Sequence, residues 1–211
     1  MLAVRVAVEM LATHYEGAEP PSNPLLGKEG AVDGSEAARA LLMAAMTAAR
    51  DAIEAEAGAR GVAPRELATT LILLLATYSG IAVAQVGDGA AVAAGADGIV
   101  YALTVPPNAE YANETTFLTS PHALETAQIT LRHGPVARIA LFTDGLQRVA
   151  LRLPEGTPHP PFFTPLLRFV AEAADSVRAH EQLTAFLNSP RLTERTDDDL
   201  TLLLASLEAA E

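Results

Sequence analysis

The chain has 211 residues, half of them apolar but only 5% aromatic, so it can bury a sizeable core built mainly from Ala, Leu, Val and Ile. A formal net charge of −12 argues against nucleic acid, whose phosphates need clustered Lys and Arg, and against docking on an anionic membrane. With no cysteine there are no disulfides, thiolate metal sites or cysteine nucleophile, which suits a reducing cytoplasm.

From the N-terminus, Val4, Val8, Leu11 and Tyr15 recur at helical spacing, with Arg5 and Glu9 four apart on another face. Arg5, Glu9, His14 and Glu16 interrupt the first twenty positions, so these do not form the apolar run of a signal peptide. The pattern starts without a cap or lead-in, which predicts that Met1 is an internal start or that upstream sequence has been lost. Residues 17–34, rich in Gly, Pro, Glu and Asn, read as a loop. Ser35 is the expected N-cap of a long helix reaching about Arg60, with Leu42, Met46, Ala49 and Ile53 as its core face.

Strands follow. Thr69–Thr77 and Gly80–Val86 are β-prone apolar runs joined at Tyr78-Ser79-Gly80. Ala90–Ala94 and Gly98–Leu103 flank the turn Gly95-Ala96-Asp97-Gly98. After a polar loop at 106–114, Ala127–Arg132 and Val136–Phe142 read as a strand pair joined by His133-Gly134-Pro135. Phe162–Ala174 and Val177–Leu187 read as helices, and Leu200–Ser206 as a closing strand. The apolar run Leu71–Ala76 is far too short to span a bilayer. Runs of strands with helices grouped elsewhere predict an antiparallel α+β layered fold, as a single domain over 1–211.

Three acidic motifs lie where strands end or begin. Val86-Gly87-Asp88-Gly89 and Leu141-Phe142-Thr143-Asp144-Gly145 each follow an apolar strand, and Thr196-Asp197-Asp198-Asp199-Leu200-Thr201 precedes the last one. Carboxylates at strand ends can converge on one rim, and Mg²⁺ and Mn²⁺ prefer such oxygen donors. Each motif alone has a plainer reading, because Asp-Gly is a common turn pair and an acidic run ordinarily caps a strand in solvent. Gly87-Asp88-Gly89 is no dinucleotide fingerprint, since another strand follows it where a helix is needed. His14, His122, His133, His159 and His180 have no ligand-like spacing and read as loop or surface residues.

In this order and with these flanks, the motifs resemble the protein phosphatase 2C family of metal-dependent serine/threonine phosphatases. Gly87-Asp88-Gly89, Thr143-Asp144-Gly145 and Asp198-Asp199-Leu200-Thr201 stand where that family carries its acidic motifs. Ala68-Thr69-Thr70-Leu71 looks like its Thr-Thr-Leu lead-in, and Tyr111–Phe117 resembles a segment of a bacterial branch. The resemblance implies a four-layer α-β-β-α sandwich of two antiparallel sheets flanked by helices. It also implies two Mg²⁺ or Mn²⁺ ions in a cleft, and hydrolysis of a phosphorylated protein by a metal-activated water. Asp144 and Asp198 match carboxylates that hold the core metal pair and so carry catalysis. Asp88 matches a residue that joins the Asp144 equivalent on a weaker third ion. Leu200 and Thr201 set the register that selects Asp198, with Asp197 as the fallback; Asp199 replaces the family's Asn, adding charge but keeping an oxygen.

The departure from the family is at the start. An acidic residue on its first strand, an Asp-Gly-apolar-Gly motif that bridges both metals, and an early phosphate-binding Arg have no counterpart here. Arg5 reads as a solvated partner of Glu9. The expectation is therefore a sandwich lacking its first strands, with little or no activity as written. The competing readings are an enzyme with a late apparent start and an inactive pseudophosphatase that binds a phosphoprotein or kinase. The substrate protein and the oligomeric state stay open.

Overall fold

A computed structural model of the chain describes residues 31–77, 80–106 and 115–207. The helix expected over Val4–Tyr15, most of the loop expected at 17–34, the Tyr78-Ser79 connection, and 107–114 with most of the Tyr111–Phe117 segment lie outside the described residues. In chain order the elements are α1 (Ala31–Arg60), β1 (Leu71–Thr77), β2 (Gly80–Val86), β3 (Ala90–Ala94) and β4 (Val100–Ala102). Next come β5 (Gln128–His133), β6 (Arg138–Phe142), α2 (Gln147–Ala150), β7 (Leu151–Arg152) and β8 (Thr157–Pro158). The chain continues through α3 (Pro160–Glu172), α4 (Ser176–Leu187), α5 (Pro190–Thr193) and β9 (Leu202–Ser206). They form two compact units, one of residues 31–87 and 115–134, the other of 88–106 and 135–207.

The first unit is a helix on a three-stranded antiparallel sheet of order β1-β2-β5. Leu42, Met46, Ala49 and Ile53 of α1 are all buried, as their spacing predicts, against Leu71 and Leu73 of β1 and Ala82, Ala84 and Val86 of β2. Burial of this apolar stripe, and not helix propensity alone, holds so long a helix in place. The helix starts at Ala31, a turn before the expected cap: the Ser35 hydroxyl lies 3.2 Å from Nε2 of His133 instead of capping. Strand β1 starts two residues later than expected, because the Thr69 carbonyl accepts from the Leu118 N–H (2.8 Å) outside the sheet ladder.

The second unit is a four-stranded antiparallel sheet of order β4-β3-β6-β9, with a two-stranded ribbon β7-β8. Small residues on the sheet, Ala90, Ala94 and Ala140, leave room for Phe163, Leu166 and Leu167 of α3. Phe163 is fully buried, with its ring 5.6 Å from Phe142 and edge-on to Phe162 at 5.2 Å. The pairing expected across His133-Gly134-Pro135 does not form: β5 and β6 belong to different sheets. Gly134, with a φ of 113°, and Pro135 lie in the link that carries the chain from one sheet to the other.

Both sheets are antiparallel throughout and both carry helices, the mixed class read from the sequence. Among the described residues, no helix is long and apolar enough to cross a membrane.

Candidate metal centre

One rung of the second unit's sheet joins three strands: Phe142 of β6 pairs with Ala90 of β3 on one side and with Leu202 of β9 on the other. Asp88 lies two residues before Ala90, Asp144 two residues after Phe142, and Asp198 four residues before Leu202. The antiparallel register therefore delivers all three acidic motifs to the same end of the sheet.

Hydrogen bonds then lock the loops. The Thr143 N–H donates to the Thr201 carbonyl at 3.2 Å, extending the ladder by one rung. Its hydroxyl donates to the Asp199 carbonyl (3.3 Å) and accepts from the Thr201 N–H (3.1 Å), binding the β6 loop to the loop before β9. Gly145 has to be a glycine: a Cβ there would stand 2.7 Å from the Asp199 carbonyl oxygen and 3.0 Å from a Leu200 methyl. The Gln147 side-chain amide donates to the Asp88 carbonyl at 2.6 Å, holding the third loop.

The carboxylates are oriented by their own backbone. The Gly145 N–H donates to Oδ1 of Asp144 (3.0 Å), and the Asp199 N–H donates to Oδ1 of Asp198 (2.8 Å). Asp144 is half-buried, and its acidity is weakened. Burial contributes most, followed by the negative charges of Asp88 and Asp198, and a hydrogen bond shared with the Asp198 side chain adds to the effect. The Gly145 N–H works the other way, favouring the charged form.

Asp144 and Asp198 line one cavity of about 750 Å³ with Gly145, Gln147, Arg148, Glu194, Arg195 and Asp197. A second hollow of about 480 Å³ shares Thr196 and Asp198 with it and is lined further by His180, Thr184 and Asp199. The donors are hard oxygens, crowded enough to disfavour their own charge, and that chemistry fits a divalent cation. The set is partial: among the described residues, no three His, Asp or Glu side chains are placed to hold one ion together.

The sequence-predicted residues thus come together, with Asp144 and Asp198 in contact and Asp88 near enough for its charge to be felt at Asp144. The fallback Asp197 lines the same cavity, whereas Asp199 lines the neighbouring hollow. Sequence reasoning missed Gln147, Arg148 and Arg195, which line the same cavity as Asp144 and Asp198. No residue pattern signalled them, because each reaches the site only once the loops have folded. Thr143 was in view as part of a motif, but its three hydrogen bonds to the distant loop were not.

Comparison with known proteins follows the same line. The sequence model of the family described as Protein phosphatase 2C matches residues 1–188. Serine/threonine-protein phosphatase 3 of Escherichia coli (strain K12) is 35% identical over 207 residues, covering 97% of this chain and 76% of that protein. The Mycobacterium tuberculosis serine/threonine phosphatase PstP/Ppp superposes with a TM-score of 0.57 at 19% identity, covering 98% of this chain and 82% of that one. The PstP catalytic domain in complex with two manganese ions also gives 0.57 at 19% identity, over 97% and 80% of the two chains. Stp1 of Staphylococcus aureus gives 0.56 at 13% identity, over 97% and 77%.

Proposed function

This chain belongs to the protein phosphatase 2C family, and from that premise we propose that it hydrolyses phosphoserine and phosphothreonine esters in proteins at a divalent-metal site held by Asp144 and Asp198. What supports the reading is the convergence of three like-charged carboxylates on one sheet end, an arrangement that opposes its own ionisation. Natural proteins keep such arrangements where chemistry needs them.

In this reading Asp144 and Asp198 are the metal ligands, and Asp88 joins Asp144 on a weaker ion. Mg²⁺ or Mn²⁺, when bound, would supply an electrophile for the phosphate and lower the pKa of an attached water. The protein's own part is positioning. The Gly145 N–H holds the charged form of Asp144, the Thr143 hydroxyl fixes the distance between the two ligand loops, and the Gln147 amide holds the Asp88 loop. Water and a phosphate ester enter; an alcohol side chain and inorganic phosphate leave. No phospho-enzyme is required, which suits a chain without cysteine. We take residues 1–211 as belonging to a single phosphatase domain, acting in a reducing cytoplasm.

The test is Mn²⁺- or Mg²⁺-dependent release of phosphate from a phosphoserine or phosphothreonine peptide, beside Asp144→Asn. Release by the native protein and its loss in the variant is the expected result. Equal release by both would remove Asp144 from the site. The inactive binding-module reading finds no support in the comparisons, whose named relatives are phosphatases.

A further inference from the structure

We propose that Arg148 and Arg195 are substrate-positioning residues whose guanidinium groups hold the phosphate of the substrate in the cavity that Asp144 and Asp198 line. The inference rests on the phosphatase reading above and names the part of the site that recognises the anion. Both arginines line that cavity. They come from separate stretches, Arg148 four residues after Asp144 and Arg195 three residues before Asp198, so each lies within one helical turn's length of chain from a site carboxylate.

Their backbones are firmly mounted. Arg148 lies on α2, whose last residue, Ala150, is fully buried. The Arg195 N–H donates to the carbonyl of Leu192 (2.8 Å), itself a buried residue of α5. Among the described residues neither guanidinium has a carboxylate partner, although Glu194 and Asp197 line the same cavity. Arg50, Arg60 and Arg168, by contrast, each pair with a glutamate four residues away.

The charges in the cavity show why such groups are needed. Asp144, Asp197, Asp198 and Glu194 together repel a phosphate dianion. A cation bound at Asp144 and Asp198 still leaves Asp197 and Glu194 facing the substrate. Two guanidinium groups offset that remainder. A guanidinium also presents paired N–H donors in the plane that phosphate oxygens accept, a match no ammonium makes.

The experiment uses the full-length protein with Arg148→Met, Arg195→Met, the double variant and the two Arg→Lys forms. Arg178→Met serves as the control, because Arg178 is exposed on α4 and lines a different hollow. Three quantities are read: the gain in Tm on adding Mn²⁺, the calorimetric affinity of the Mn²⁺-loaded protein for inorganic phosphate and for a phosphoserine peptide, and KM against kcat. Each Arg→Met change should weaken phosphate and peptide binding about ten- to a hundred-fold and raise KM, with the Mn²⁺ gain unaltered. Lysine should restore binding only in part, and the control should move it by less than about two-fold. A double variant that binds inorganic phosphate as the native protein does would overturn the assignment. So would loss of peptide affinity alone, which would put the arginines on the peptide and not on the phosphate. Native protein showing neither an Mn²⁺ gain nor peptide hydrolysis would instead sink the phosphatase reading, and the inference with it.

Discussion

At the scale of single residues, Asp144 is the most informative. Its carboxyl sits above its ordinary value of 3.8 because burial, Asp88 and Asp198 all oppose its charge. The sign follows: folding is unpenalised by Asp144 below that value, and its contribution is lost as pH rises through the raised one. In chelator at neutral pH, Asp144→Asn should therefore melt higher than the native protein, and the advantage should vanish near pH 4; a Tm series against pH checks this. The same variant should show no gain with Mn²⁺. Gly145 is the second such residue. Gly145→Ala sets a methyl against the Asp199 carbonyl and Leu200, so it should cost about 1–3 kcal/mol in urea unfolding and weaken Mn²⁺ binding as the loops part. The three aspartates could be named from sequence because each sits in a motif a few residues long at the end of a strand. The need for glycine at 145 could not, since its cause is a contact across more than fifty residues.

At the scale of elements, periodicity was a dependable guide wherever one face of an element is buried. Leu42, Met46, Ala49 and Ile53 repeat at helical spacing and all reach the core of the first unit. Leu42→Ala should open a cavity worth about 2–5 kcal/mol, read as a lower urea midpoint at unchanged slope. Phe163 plays the matching part on the second sheet, packed on Phe142 and Phe162. Strand partners were harder to read. Gln128–His133 and Arg138–Phe142 are adjacent in sequence and look like a hairpin, yet each joins a different sheet. Alternation marks a strand but does not name its neighbour, and here Gly134 and Pro135 carry the chain between ladders. Short elements such as Gln147–Ala150 and Pro190–Thr193 left no periodic trace, because a single turn is too brief to show one.

At the scale of the whole molecule, the surplus of twelve negative charges sets the background for every other effect. Self-repulsion should make metal-free protein melt higher in about 0.2 M salt than in about 0.02 M, as the Debye length shrinks. Bound Mn²⁺ should add about 2.7 kcal/mol of stability at a hundred times its dissociation constant, and the gain should disappear on chelation. By itself, the sequence determined the presence of helices and antiparallel sheets, the apolar face of the long helix, and the three aspartates on which the candidate site is built. These are local properties, written in spacing and in motifs a few residues long. Only the tertiary structure decided that Ala90, Phe142 and Leu202 share one rung. That rung brings Asp144 against Asp198, makes Asp144 resist its own charge, and sets Arg148 and Arg195 in the same cavity. Such facts depend on distance through space between residues far apart along the chain, and no local pattern encodes it.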